Sequence, residues 1–173
     1  LLESRLRCAK LLTADKPLAD RLCDCLFDTE AVQARLYPSE KSPDTPYRQD
    51  ALAELFDQLE YIDDRNREKI VRASHTADFS GQETELTRLA LYDLYRYRLN
   101  SVGTLDVLSP TKFMIASVIV ISNLSRDNHL ALCEAAQLYS KEIEQSYENM
   151  ERIFDALAYD PLLSSDHLIR FIQ

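Results

Sequence analysis

Apolar residues recur along this chain at steps of three and four, the spacing that lines one face of an α-helix. Leu2, Leu6, Ala9 and Leu12 form a first stripe. After a break, Pro17 suits a helix's first turn, and Leu18, Leu22, Cys25, Leu26, Val32 and Leu36 form a second stripe. That helix is expected over about 17–36, with an interruption near Asp28 and Thr29 left open. Residues 38–46 read as a flexible loop, because they hold three prolines and no apolar anchor. Thr45 and Pro46 then read as a cap and first turn for a helix carrying Leu52, Leu55, Phe56, Leu59 and Ile62. Asp63 and Asp64 are placed to cap a shorter helix ending at Ala73, and Ser80 with Glu83 has capping-box spacing ahead of Leu86, Ala90, Leu94 and Tyr97.

The most apolar stretch, about 109–124, holds Phe113, Met114, Ile115, Val118, Ile119, Ile121 and Leu124. Its β-branched run suits a buried strand equally well, but no second strand exists to pair with it. A helix apolar on most sides belongs at the centre of a bundle. Asp127 is expected to cap one long helix over about 128–159. Its Leu132, Ala136, Tyr139, Ile143, Tyr147, Met150, Phe154 and Leu157 follow near-heptad spacing. A short last helix follows Pro161, with Leu168, Ile169 and Ile172. The pattern predicts an all-α fold: a single-domain bundle of seven or eight helices over 1–173. The chain opens on Leu1 and closes in mid-pattern, so it is expected to belong to a longer polypeptide.

Composition narrows the function classes. Only 2 of the 173 residues are glycine, which leaves no glycine loop of the Walker or Rossmann kind. A net charge of -9 argues against a nucleic-acid partner. No uninterrupted apolar run approaches the ~20 residues of a membrane span. Four cysteines without regular spacing read as free thiols, and hence as a cytoplasmic chain.

Neither a metal nor a cofactor is expected. His75, His129 and His167 stand apart from one another, and Cys23 and Cys25 sit two residues apart in a helix, on roughly opposite sides of its axis. His75 and Asp78 share a loop in which the carboxylate is expected to orient the imidazole, with Tyr92 or Tyr95 approaching. That pair is the catalytic candidate, set against the plainer reading of two polar loop residues, and the balance leans away from an enzyme. Arg96 and Arg98 alternate with Tyr95 and Tyr97, which on a helix spreads them around the axis as a solvated basic face.

Acidic residues are the more persistent feature. Asp57, Glu60, Asp63 and Asp64 cluster at one helix end, and Glu142, Glu144, Glu148, Glu151 and Asp155 populate the expected long helix. The leading expectation is therefore a non-catalytic interaction or regulatory domain that uses this second set to bind another protein with a basic surface, or a copy of itself. The alternative is a small-molecule sensor with an apolar pocket of Phe113, Met114, Val118, Tyr139, Ile143 and Tyr147. An enzyme built on His75 and Asp78 is third. Asn123-Leu124-Ser125 matches a glycosylation sequon, and Ser42 is the one loop candidate for phosphorylation.

Overall fold

The computed structural model describes residues 1–37 and 45–173, except for the side chain of Asn100. Most of the expected loop at 38–46, including Ser42, lies outside the described residues. The elements in chain order are α1 (Leu2–Leu12), α2 (Leu18–Leu36), α3 (Ala51–Asp57), α4 (Asp64–Ala73), α5 (Glu83–Tyr97), α6 (Ser101–Thr104), α7 (Leu108–Asp127), α8 (Leu132–Tyr139), α9 (Tyr147–Tyr159) and α10 (Ser165–Ile172). Short 3-10 turns cover Arg98–Asn100 and Pro161–Leu163, and a π turn covers Ser140–Glu144. No strand occurs among the described residues. The fold is an all-α bundle.

The β-branched run is helical and lies within α7, buried without a break from Ser109 to Ser125. α7 packs against α2, α4, α5, α8 and α9, so no side of it is left for water. By length and composition it could cross a membrane, yet 94% of that stretch is buried within the bundle. Several of its polar side chains are satisfied by neighbouring backbone, as burial requires. Asn123 Nδ2 donates to the carbonyls of Ala73, at 2.8 Å, and Thr76, at 2.6 Å. Ser122 Oγ donates to the Asp78 carbonyl. These bonds fix the loop between α4 and α5. They also leave the sequon's amide fully enclosed.

The expected long helix over 128–159 does not form. α7 itself runs through Asp127, and α8 begins only at Leu132, where Glu134 accepts the Ala131 N–H at 2.9 Å. The π turn then brings the adjacent residues Glu142 and Ile143 both inward, and Ser146 restarts the chain by accepting the Asn149 N–H. After this break Leu157 is buried as the register predicts and Met150 and Phe154 pack against the core, but Asn149 and Ile153 are buried beside them and Tyr147 is not. The break is also one reason the described residues form ten α-helices rather than seven or eight.

α2 spans the expected range and is continuous through Asp28 and Thr29. Two further boundaries differ. α3 starts at Ala51, because the chain before it is drawn out against α10: His167 lies 3.1 Å from the Thr45 carbonyl and edge-on to Tyr47. Ser80 does not cap α5; its hydroxyl donates to Asp78 instead, and Gln82 occupies the cap position.

Candidate functional site, an acidic groove between α3 and α4

Asp63 starts α4 by accepting the Arg65 N–H at 2.9 Å, and Ile70 and Ala73 turn into the core. The opposite side of the helix then presents Asp64, Arg67, Glu68, Val71 and Arg72 toward α3 and the loop at His75. Together with Asp57 they line an open groove of about 670 Å³. It continues into a smaller hollow of about 240 Å³ bounded by Asp50, Ala53, Glu54, Asp57, Gln58, Val71 and His75. Five carboxylates thus face two arginines and one histidine, over an apolar floor of Ala53 and Val71.

Several of these charges are already engaged. Arg67 binds Asp57 through its side chain, at 3.0 Å, and donates to the Asp57 carbonyl. Arg48 pairs with Glu54. Asp64 and Glu68 enter no ion pair among the described residues, and neither does Arg72 beside them, so carboxylates outnumber cations in the groove.

The groove's shape is held from behind. The N–H groups of Gln58 and Leu59 close the last turn of α3 on Leu55 and Phe56, and the backbone of the connection is otherwise held by side chains from the π turn and α9. Glu142 accepts the Ile62 N–H at 2.8 Å and the Asn66 amide at 2.7 Å. Asn149 Oδ1 accepts the Glu60 N–H while its Nδ2 donates to the Glu60 carbonyl, and Arg152 donates to the Gln58 carbonyl.

The anticipated residues fall into place unevenly. His75 and Asp78 do not form a pair: His75 Nδ1 lies 3.2 Å from Asp50, while Asp78 binds Ser80 and Arg126. The Ser80 hydrogen bonds and the Arg126 charge hold the Asp78 carboxyl below its usual range. Tyr92 and Tyr95 are occupied with Arg96 and Arg5 rather than with His75.

Of the acidic set, Glu148, Glu151 and Asp155 are exposed on α9, but Glu142 is only 2% exposed and Glu144 turns in to bind Arg96 at 2.7 Å and Ser140 at 2.9 Å. The expected five-residue acidic face is therefore a three-residue one.

Of the anticipated ligand pocket, Phe113, Met114, Val118, Tyr139 and Ile143 are packed core. Phe113 stacks on Phe154, Tyr139 tilts against Phe56, and the Tyr139 hydroxyl accepts from Ser117 at 3.2 Å. Tyr147 is 75% exposed and cannot line an interior pocket, because the break before α9 rotates it outward.

Asp50, Glu54 and Glu68 were not among the anticipated residues. A signal for one wall existed: positions 64, 68, 71 and 75 recur at helical spacing, a stripe facing away from Ile70 and Ala73. Among the described residues no group of three or more His, Cys, Asp or Glu side chains gathers as a metal-binding set. Comparison of the chain with family models, curated proteins and solved structures finds no match.

Proposed function

We propose that this is a non-catalytic interaction domain that docks a lysine- or arginine-bearing segment of another protein in the groove between α3 and α4. The observation that carries this reading is a concave surface on which five carboxylates around Val71 outnumber two arginines and a histidine. A long basic side chain is amphipathic: its stem gains by lying on an apolar floor while its head stays among carboxylates. Val71 and Ala53 supply the floor, and Asp64 and Glu68 the charge. Ile62, 71% exposed just before Asp63, offers an apolar contact at the rim. The overall charge of -9 adds long-range steering of a basic partner, a contribution to association rate that salt screens.

The sensor alternative draws no support from the packing, since five of its six residues fill the core. The test is charge reversal. A lysine-rich amphipathic peptide serves as the probe, and Asp64→Lys with Glu68→Lys should weaken its binding at least tenfold without lowering the melting temperature (about 1.4 kcal/mol or more). Glu148→Lys with Glu151→Lys on α9 should cost much less. If the α9 pair is the one that abolishes binding, the groove assignment fails.

A further inference from the structure

Large apolar side chains gather on one outer face of the bundle, where α1, α5 and α6 meet. Tyr92, Tyr95, Leu99 and Val102 recur at steps of three, four and three along α5, the 3-10 turn and α6. Leu2 and Leu6 lie one turn apart on α1 beside them, and Leu105 follows α6 directly. Each of these residues is between 39% and 64% exposed. Contacts across the elements make the face continuous. Arg5 of α1 lies over the Tyr95 ring, 5.0 Å from its centre, and the buried Arg98, in the turn after α5, donates to Ser4 of α1. Single exposed leucines need no explanation, but a continuous face of them does.

The face is also held in shape. Both tyrosines are pinned by arginines: Arg5 covers Tyr95, and Arg96 donates to the Tyr92 hydroxyl at 3.0 Å. Rings fixed beforehand lose little freedom when a partner covers them. Leu105 has a positive φ of 58°, in the left-handed region where glycine is the usual residue after a helix. Gln33 clamps that conformation, donating to the Leu105 carbonyl at 3.3 Å and accepting the Val107 N–H at 2.8 Å. Glycine at 105 would relieve the backbone but remove a side chain that extends the face.

We propose that this face is the interface of a homodimer, covered by the same face of a second copy of the chain. The area fits: these residues present roughly 700 Å² of surface, close to the ~800 Å² that each partner brings to a stable complex. The charge fits as well. Two chains of net charge -9 repel each other, so they pair best where acidic residues are outnumbered. On α1, Glu3 stands against Arg5, Arg7 and Lys10, and α6 carries no charge. On α5, Glu83 and Glu85 are balanced by Arg88 and Arg96, while Asp93 is buried. The acidic groove and the acidic side of α9 lie on other elements.

An apolar face is matched by its own copy and not by the groove, whose lining is mostly charged. The pairing is therefore two-fold rather than head-to-tail. Across a two-fold axis the stripes on α5 and α6 run antiparallel, and side chains at steps of three and four interlock as they do between packed helices. Assembly closes at two copies, because both faces are then used. The face shares no residue with the groove between α3 and α4, so the dimer carries two grooves.

Sedimentation equilibrium of the whole chain, over a wide dilution series, tests this. It should show one monomer–dimer equilibrium, and added salt should strengthen it by screening the like charges. Leu99→Glu with Val102→Glu, both positions exposed in the monomer, should weaken dimerisation on the order of a hundredfold and leave the helical circular dichroism unchanged. Asp64→Lys with Glu68→Lys in the groove should not weaken it. Leu105→Gly should weaken dimerisation about tenfold while the dilute monomer unfolds with no loss of stability, a combination that a merely structural leucine would not give. The proposal is overturned if the chain stays monomeric at its highest soluble concentration, or if the Leu99 and Val102 double variant dimerises as wild type does. It is equally overturned if the mass keeps rising beyond the dimer, or if the groove variant abolishes association, since either result marks head-to-tail contact.

Discussion

The carboxylate of Glu142 accepts the backbone N–H of Ile62 at 2.8 Å, joining the π turn before α9 to the connection between α3 and α4. The residue expected to face a partner instead holds the wall of the groove from inside. Its second oxygen takes the Asn66 amide from α4, so one side chain fixes both the connection and the helix that follows it. Glu142→Ala leaves these two partly buried donors without their acceptor and should lower stability by about 1–3 kcal/mol in denaturant unfolding. Glu142→Gln should recover part of that loss, because it keeps one acceptor and turns an NH2 toward the other donor. Equal stability of wild type and Glu142→Ala would contradict this role.

Asp93 is 1% exposed, and neither carboxyl oxygen has a hydrogen-bond partner. Burial, together with the Glu144 charge and against the pull of Arg96, raises its proton affinity well above that of a free carboxyl. The unfolded chain then releases this proton at lower pH than the folded one. The contribution of Asp93 to stability is therefore greatest in acid and falls as pH rises from about 4 toward its folded value. Asp93→Asn should abolish this slope. Measured as a difference from wild type, the variant should gain relative stability between acid and neutral pH.

Lys112 shows the opposite case. Its ammonium donates to the Leu157 carbonyl at 2.8 Å, in the last turn of α9, yet burial lowers its pKa to about 8. The unfolded lysine, with its ordinary value of 10.5, binds the proton more tightly. The desolvation cost is thus present in full below about pH 8 and relieved as pH rises to 10.5. The stability of wild type minus that of Lys112→Met should rise across this window by on the order of 3 kcal/mol. A flat difference would mean that the ammonium is better solvated than its 5% exposure implies.

What the sequence made legible follows from which forces are local. The central helix could be read from Phe113 through Leu124, because burial on every side leaves an unbroken apolar record. The break at Ser140–Ser146 could not. Near-heptad spacing continues across it through Ile143 and Tyr147, while the π turn is stabilised by distant groups: Arg96 on Glu144, and Ile62 and Asn66 on Glu142. The same reason hid the groove. Asp57 and Asp64 were visible as acidic residues, but their concavity depends on Asn149 and Arg152, which bond a connection about ninety residues earlier. His75 found Asp50 rather than Asp78 because Ser80 and Arg126 had claimed the nearer carboxylate. A local spacing rule weighs only neighbours in sequence.

The docking claim is tested most directly by amide chemical-shift mapping of the isotope-labelled chain, titrated with the lysine-rich peptide at low and moderate salt. The groove assignment predicts shifts concentrated at Asp57, Asp64, Glu68, Val71 and His75, diminished by salt and absent in the variant carrying Asp64→Lys and Glu68→Lys. Shifts confined to Glu148, Glu151 and Asp155 on α9, or shifts that survive the double reversal, would contradict it.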